Sequence, residues 1–187
     1  FAHVGDTALF VFYKDGRVSR STEDQMGQHD TAALREALAV KAELNTPHLR
    51  DVVKHERVVR INQRNGLYHN YVDSNGAPDR SLGVGVINGL SEISAYIQTG
   101  TFELEPVAGL LVCSDGFPLP APWDETPAQA ETRLHTMRDL LFHEGIEAYF
   151  AHLRRLQAED ESLDRYPRFK THDDSTGIFV RIGAINA

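Results

Sequence analysis

Three acidic positions in this sequence stand where an apolar run meets a turn. Asp6 lies in Gly5-Asp6-Thr7, Asp115 lies in Ser114-Asp115-Gly116, and Asp173 with Asp174 immediately precedes a closing run of β-branched and aromatic residues. Carboxylates delivered from the strand ends of one sheet can meet at a point. An all-oxygen ligand set of that kind suits Mg²⁺ or Mn²⁺, whereas zinc prefers His or Cys. Taken singly, each position also reads as a turn residue, since Asp-Gly is a common turn element.

The other reactive side chains point elsewhere. Cys113 is followed by Ser-Asp-Gly-Phe-Pro-Leu-Pro, a loop without an arginine to hold phosphate, so it reads as core packing at a strand end rather than a nucleophile. The nine histidines form neither an HExxH pair nor a Cys/His zinc cluster. His172 alone adjoins one of the three candidate acidic sites and is assigned a structural or solvent role. Arg57, Arg60 and Arg64, with Lys54 one turn earlier, make a basic stripe of the sort usually solvated and paired with acids such as Glu56.

The elements that must position the acids are legible from patterning. Residues 2–13 read as a buried strand, and Lys14-Asp15-Gly16 turns it into a hairpin returning over 17–21. A helix is expected from a cap at Asp30 or Thr31 to about Glu43, with Leu34, Leu38 and Ala42 inward. Thr46-Pro47 signals a second helix ending near Asn65-Gly66. Residues 68–89 read as loop, and 93–98 with 101–104 as a hairpin around Thr99-Gly100. Residues 109–113 form a strand covered on both faces. Thr126-Pro127 opens a helix towards His143 with Leu134, Met137, Leu140 and Leu141 inward, and Gly145 breaks it. A further helix over 146–158 and a last strand over 177–182 complete an α+β order.

Bulk properties set the class. At 187 residues the chain is long enough for a single domain, residues 1–187, with its own core. Hydrophobic content of 41% and charged content of 25% match a globular protein. Nineteen basic against twenty-seven acidic side chains give a net charge of −8, which opposes nucleic acid as a partner. Divalent metals can still mask aspartates locally for a phosphorylated substrate. No apolar run approaches the ~20 residues of a membrane span, and no signal-peptide pattern is visible. A single cysteine excludes an internal disulfide, and a cytoplasmic setting is expected.

Four segments in order resemble the metal-dependent protein serine/threonine phosphatases of type 2C, the PPM family. Ala2-His3-Val4-Gly5-Asp6-Thr7, then a strand and a Lys14-Asp15-Gly16 turn, then Ser21-Thr22-Glu23-Asp24-Gln25, is similar to that family's "VGDSR" strand, "DG" turn and "LTEDH". Residues 110–117, LLVCSDGF, resemble its "LLLCSDGL". His172-Asp173-Asp174-Ser175-Thr176-Gly177 resembles its terminal "DNxT", written "DDxT" in bacterial members. Departures exist: Ala8 stands where many members have arginine, Gln25 stands for the histidine of "EDH", and Asp174 adds a charge where asparagine is common.

What the resemblance implies is concrete. Asp115 and Asp173 become core ligands of a site for two or more Mg²⁺ or Mn²⁺ ions. Asp6 becomes a ligand of a further, weaker position, and Asp174 and Gly116 possible accessories. The implied fold is part of a four-layer α-β-β-α sandwich of antiparallel sheets flanked by helices. The implied reaction is hydrolysis of phosphoserine or phosphothreonine in a protein substrate by a metal-activated water, without a covalent phosphoenzyme. No "DGHGG"-like segment occurs, although the family's bridging aspartate, phosphate-binding arginine and general-acid histidine belong to that region. The chain is therefore expected to be the C-terminal portion of such a domain, incomplete before Phe1, weakly active or inactive alone, and prone to self-association through uncovered sheet edges. The alternative is a non-catalytic phosphatase-like module binding a partner protein or metal. A third reading is an unrelated α+β protein with coincidental acidic turns.

Overall fold

The computed structural model describes residues 1–65 and 68–185. In chain order its elements are β1 (Ala2–His3), β2 (Thr7–Tyr13), β3 (Val18–Arg20), α1 (Gly27–Glu43), a 3-10 turn (Leu49–Asp51), α2 (Glu56–Asn65), a 3-10 segment (Ser91–Tyr96), β4 (Gln98–Thr99), β5 (Val107–Ser114), α3 (Pro127–Asp139) running into a π turn (Leu140–Glu144), α4 (Ile146–Glu159) and β6 (Gly177–Arg181). All pairings between these strands are antiparallel, and the class is α+β, as expected. Two compact units divide the chain: Phe1–Asp6 with Glu23–Gly100, and Thr7–Thr22 with Thr101–Ala187. Among the described residues no helix is long and apolar enough to cross a membrane.

In the first unit β1 pairs with β4, Ala2 opposite Thr99 and His3 opposite Gln98. The expected hairpin over 93–104 is therefore corrected. Residues 91–96 coil as 3-10 because Tyr96 is fully buried and its hydroxyl donates to the Tyr71 carbonyl, a contact that period-two patterning does not register. Helix α1 begins before the expected cap because Asp24 Oδ1 accepts the Met26 and Gly27 N–H groups at 3.2 and 2.8 Å. Its buried stripe is His29, Ala33, Ala37 and Val40, while Leu34 and Leu38 are half-buried and Ala42 is exposed. Small side chains on that stripe let α2 pack against it. The second helix starts at Glu56 rather than at Thr46-Pro47, since the intervening segment buries Leu49, Val52 and Val53 in a 3-10 turn and irregular backbone. The expected stop includes Gly66, which lies outside the described residues. Arg57 is held by Glu36 at 2.5 Å and Glu43 at 2.5 Å, and Arg60 by Glu56 at 3.5 Å, so two arginines of the basic stripe are paired with acids.

The second unit is a four-stranded sheet in the order β3-β2-β5-β6. Alternation along β2 sends Ala8, Phe10 and Phe12 to one face, where they pack with Leu111, Cys113, Met137, Leu141, Phe142, Tyr149 and Leu153 of β5, α3, the π turn and α4. Phe12, Phe142 and Phe179 meet edge-to-face, with centroids 5.1 to 5.9 Å apart, each pair contributing about 0.5–1.5 kcal/mol beyond area burial. The opposite face buries Leu9, Val11 and Val107. It leaves Val112, Ile178 and Val180 about half exposed or more, so β5 is not covered on both faces along its whole length. Helix α3 starts as its cap-plus-proline signal predicts: Thr126 and Gln129 form a reciprocal capping box with Pro127 at the first turn. Gly145, at φ 92°, ends the π turn.

Candidate metal centre

Strand β5 carries the first aspartate to the site and the turn before β6 carries the second. Because β5 and β6 run antiparallel with Cys113 opposite Gly177, the end of one strand meets the beginning of the other. Beyond that register the strands are stapled by Ser114: its N–H donates to the Thr176 carbonyl at 3.0 Å, and its Oγ accepts the Thr176 N–H at 3.0 Å. The turns bearing Asp115 and Asp173 are thus neighbours by strand geometry. Gly177 lacks the Cβ that would meet the Phe117 ring at 2.7 Å, so Phe117 anchors the Asp115 turn in the core.

Gly116 marks the closest approach. A Cβ there would lie 2.6 Å from the Asp174 carbonyl oxygen, 2.9 Å from Asp173 Cβ and 3.1 Å from Ser175 Oγ. Asp115 Oδ1 accepts the Gly116 N–H at 2.8 Å, and Asp173 Oδ1 accepts the Asp174 N–H at 2.9 Å. Each carboxylate is oriented by the amide that follows it. Ser175 Oγ donates to the Gly116 carbonyl at 2.6 Å, linking one turn to the other.

Charge gathers here. The Lys170 ammonium lies 2.7 Å from Asp173 Oδ1. That hydrogen bond, with the charges of Asp173, Asp174 and Asp115, raises its pKa above the ordinary lysine value. Asp115, Asp173 and Asp174 therefore act on one cation. Cys113, two residues before Asp115, is buried, and desolvation pushes its thiol up to about 12, with Asp115 adding to the rise. A thiol so disinclined to ionise is a poor metal ligand.

Asp115, Gly116, Asp173 and Asp174 are brought together. Asp6 is an exposed residue of the first unit, immediately before β2. Among the described residues no group of three or more His, Cys, Asp or Glu side chains is arranged to hold a metal ion. The adjoining Asp115 and Asp173 fit a hard divalent cation in kind, since Mg²⁺ keeps several waters and uses one or two protein carboxylates. Gln25, which stands for the histidine of the similar motif, is buried and structural. Its Oε1 accepts the Gly5 N–H at 3.3 Å and its Nε2 donates to the Tyr96 carbonyl at 3.0 Å.

Sequence reasoning passes over Arg154, Lys170 and Ser175. Arg154 Nη2 donates to the Asp173 carbonyl at 3.0 Å and to Ser175 Oγ at 3.3 Å. Ser175 sits inside the quoted motif, which is a signal. Arg154 and Lys170 carry none, because their roles arise from tertiary contact and loop shape. No protein-family model matches this chain, and no curated protein matches it either.

Proposed function

We propose that this chain supplies part of the divalent-metal site of a Mg²⁺- or Mn²⁺-dependent protein serine/threonine phosphatase, with Asp115 and Asp173 as the carboxylates that hold metal. The observation that supports this reading is the juxtaposition of the Asp115-Gly116 and Asp173-Asp174 turns at the β5–β6 end, at a distance only a glycine permits. Two adjacent turns that each carry a carboxylate supply hard-oxygen donors of the kind Mg²⁺ or Mn²⁺ takes. Asp174 is an accessory candidate. Bound there, the metal would lower the pKa of a water and neutralise phosphoryl charge during in-line displacement. The residues themselves do two things. The Gly116 and Asp174 amides orient the carboxylates, and Lys170 offsets their repulsion until a stronger cation competes for Asp173.

The sequence contains no DGHGG-like segment, so the bridging aspartate of the similar family is not among these residues. The expected activity of this polypeptide alone is correspondingly low. Calorimetric titration with Mn²⁺ tests the reading: binding is expected, and Asp173→Asn and Asp115→Asn should each weaken it about tenfold or more, as loss of a charged ligand does. Absence of Mn²⁺ binding by the unaltered chain would overturn the metal assignment. Rapid Mn²⁺-dependent hydrolysis of a phosphoserine peptide would overturn the claim that essential groups are missing.

A further inference from the structure

Helix α4 reaches the aspartate pair through one side chain. The Arg154 guanidinium is fixed on three sides. Its Nη1 donates to Oε1 of the buried Gln157 at 2.7 Å, its carbon stacks 4.7 Å above the Phe150 ring centroid, and its Nη2 donates to both the Asp173 carbonyl and Ser175 Oγ. Phe150 in turn stacks on Phe117, the anchor of the Asp115 turn, at 6.3 Å. One guanidinium therefore holds the second aspartate's backbone directly. It holds the first turn through Ser175 Oγ, which lies 2.6 Å from the Gly116 carbonyl oxygen, its nearer acceptor, and 3.1 Å from the Asp173 carbonyl oxygen. A hydroxyl that accepts from a cation while donating to a carbonyl is polarised, and both bonds of such a chain strengthen.

We infer that Arg154 is the positioning residue of the Asp115–Asp173 pair, fixing the separation of the two carboxylate-bearing turns through the Asp173 carbonyl and the Ser175 hydroxyl. For cation affinity the inference rests on the metal reading above; for the geometry of the turns it stands on the hydrogen bonds alone. Arg154 touches neither carboxylate's oxygens, so it acts as an outer support. Outer supports of metal sites typically govern affinity by about 10–100-fold.

Two readouts separate these claims. The Gly116 and Asp174 amides donate to the Asp115 and Asp173 carboxylates, so their hydrogen exchange reports carboxylate orientation without metal. In Arg154→Ala both amides should exchange about tenfold faster or more, while Leu111 and Phe179 amides in the sheet keep their rates. Mn²⁺ affinity by calorimetry should fall about tenfold, with Arg154→Lys recovering part of the loss and Ser175→Ala reproducing most of it. Unchanged exchange and affinity in Arg154→Ala would overturn the inference. So would equal acceleration throughout the sheet, which would make the arginine a general stabiliser. Faster exchange at the two turns, in a chain that binds no Mn²⁺ to begin with, upholds the positioning role and overturns the metal reading.

Discussion

Gly116 shows how one missing methyl group sets the geometry of the site. Its neighbours across the β5–β6 end are a backbone carbonyl, a Cβ and a hydroxyl, all within 3.1 Å of where a Cβ would stand. Of these only the Ser175 hydroxyl can rotate away, because the Asp174 carbonyl and Asp173 Cβ belong to the turn itself. Gly116→Ala should therefore push the two turns apart rather than be absorbed by a side-chain shift. The expected cost is about 1–3 kcal/mol of stability, the usual range for overpacking. Urea denaturation measures it. A change below about 0.5 kcal/mol would show that the turns are looser than their contacts require.

At the scale of elements, the loop over residues 160–176 delivers Asp173 and is held by its own polar centre rather than by strand pairing. Asp160, buried, accepts the Arg165 and Tyr166 N–H groups at 3.0 Å each and Arg168 Nη1 at 2.6 Å. Arg168 also donates to the Gln157 and Asp160 carbonyls at 2.9 and 3.0 Å. Removing one partner of such a pair leaves the other desolvated and unmatched, at a cost of about 3–5 kcal/mol. Asp160→Ala should lose about that much in equilibrium unfolding, and Asp160→Asn less, because an amide oxygen still accepts one N–H. Near-equal losses for the two variants would assign the effect to charge rather than to the turn hydrogen bonds. How much of this was legible follows the range of the interaction. The cap at Thr126, the break at Gly145 and the acid-bearing ends of β5 and β6 are local signals, and they stand in the structure. The start of α2, the coil over 91–96 and the buried stripe of α1 depend on the burial of Leu49, Val52 and Val53, on Tyr96 and on the packing of α1 against α2, which no local pattern encodes. The candidate site divides the same way. Asp115-Gly116 and Asp173 were readable, whereas Arg154, 19 residues from Asp173, became visible only once the turn lay against α4.

Across the whole molecule, two acids are buried neutral in the core of the second unit. Cys113 is raised by desolvation to about 12, and Tyr149 is raised by burial well above the ordinary phenol while donating to the Phe117 carbonyl at 2.8 Å. In the unfolded chain the thiol loses its proton near its ordinary value of 9.0, whereas the folded chain keeps it until about 12. Over that window the unfolded state binds fewer protons, so the stability that Cys113 supports is whole below pH 9 and is lost as pH rises towards 12. One proton corresponds to about 1.4 kcal/mol per pH unit. Tyr149 acts in the same direction from a higher starting point and is present in both proteins of the comparison. Urea midpoints between pH 8.5 and 10.5 should fall more steeply for the unaltered chain than for Cys113→Ala, and the two stability curves should converge as pH rises despite the small cavity the alanine leaves. Parallel curves would mean that the thiol is ionised or hydrated in the folded state. Cys113 would then sit close enough to solvent beside Asp115 to act as a soft ligand, and the proposed preference of the Asp115–Asp173 pair for Mg²⁺ or Mn²⁺ over thiophilic metals would lose its physical basis.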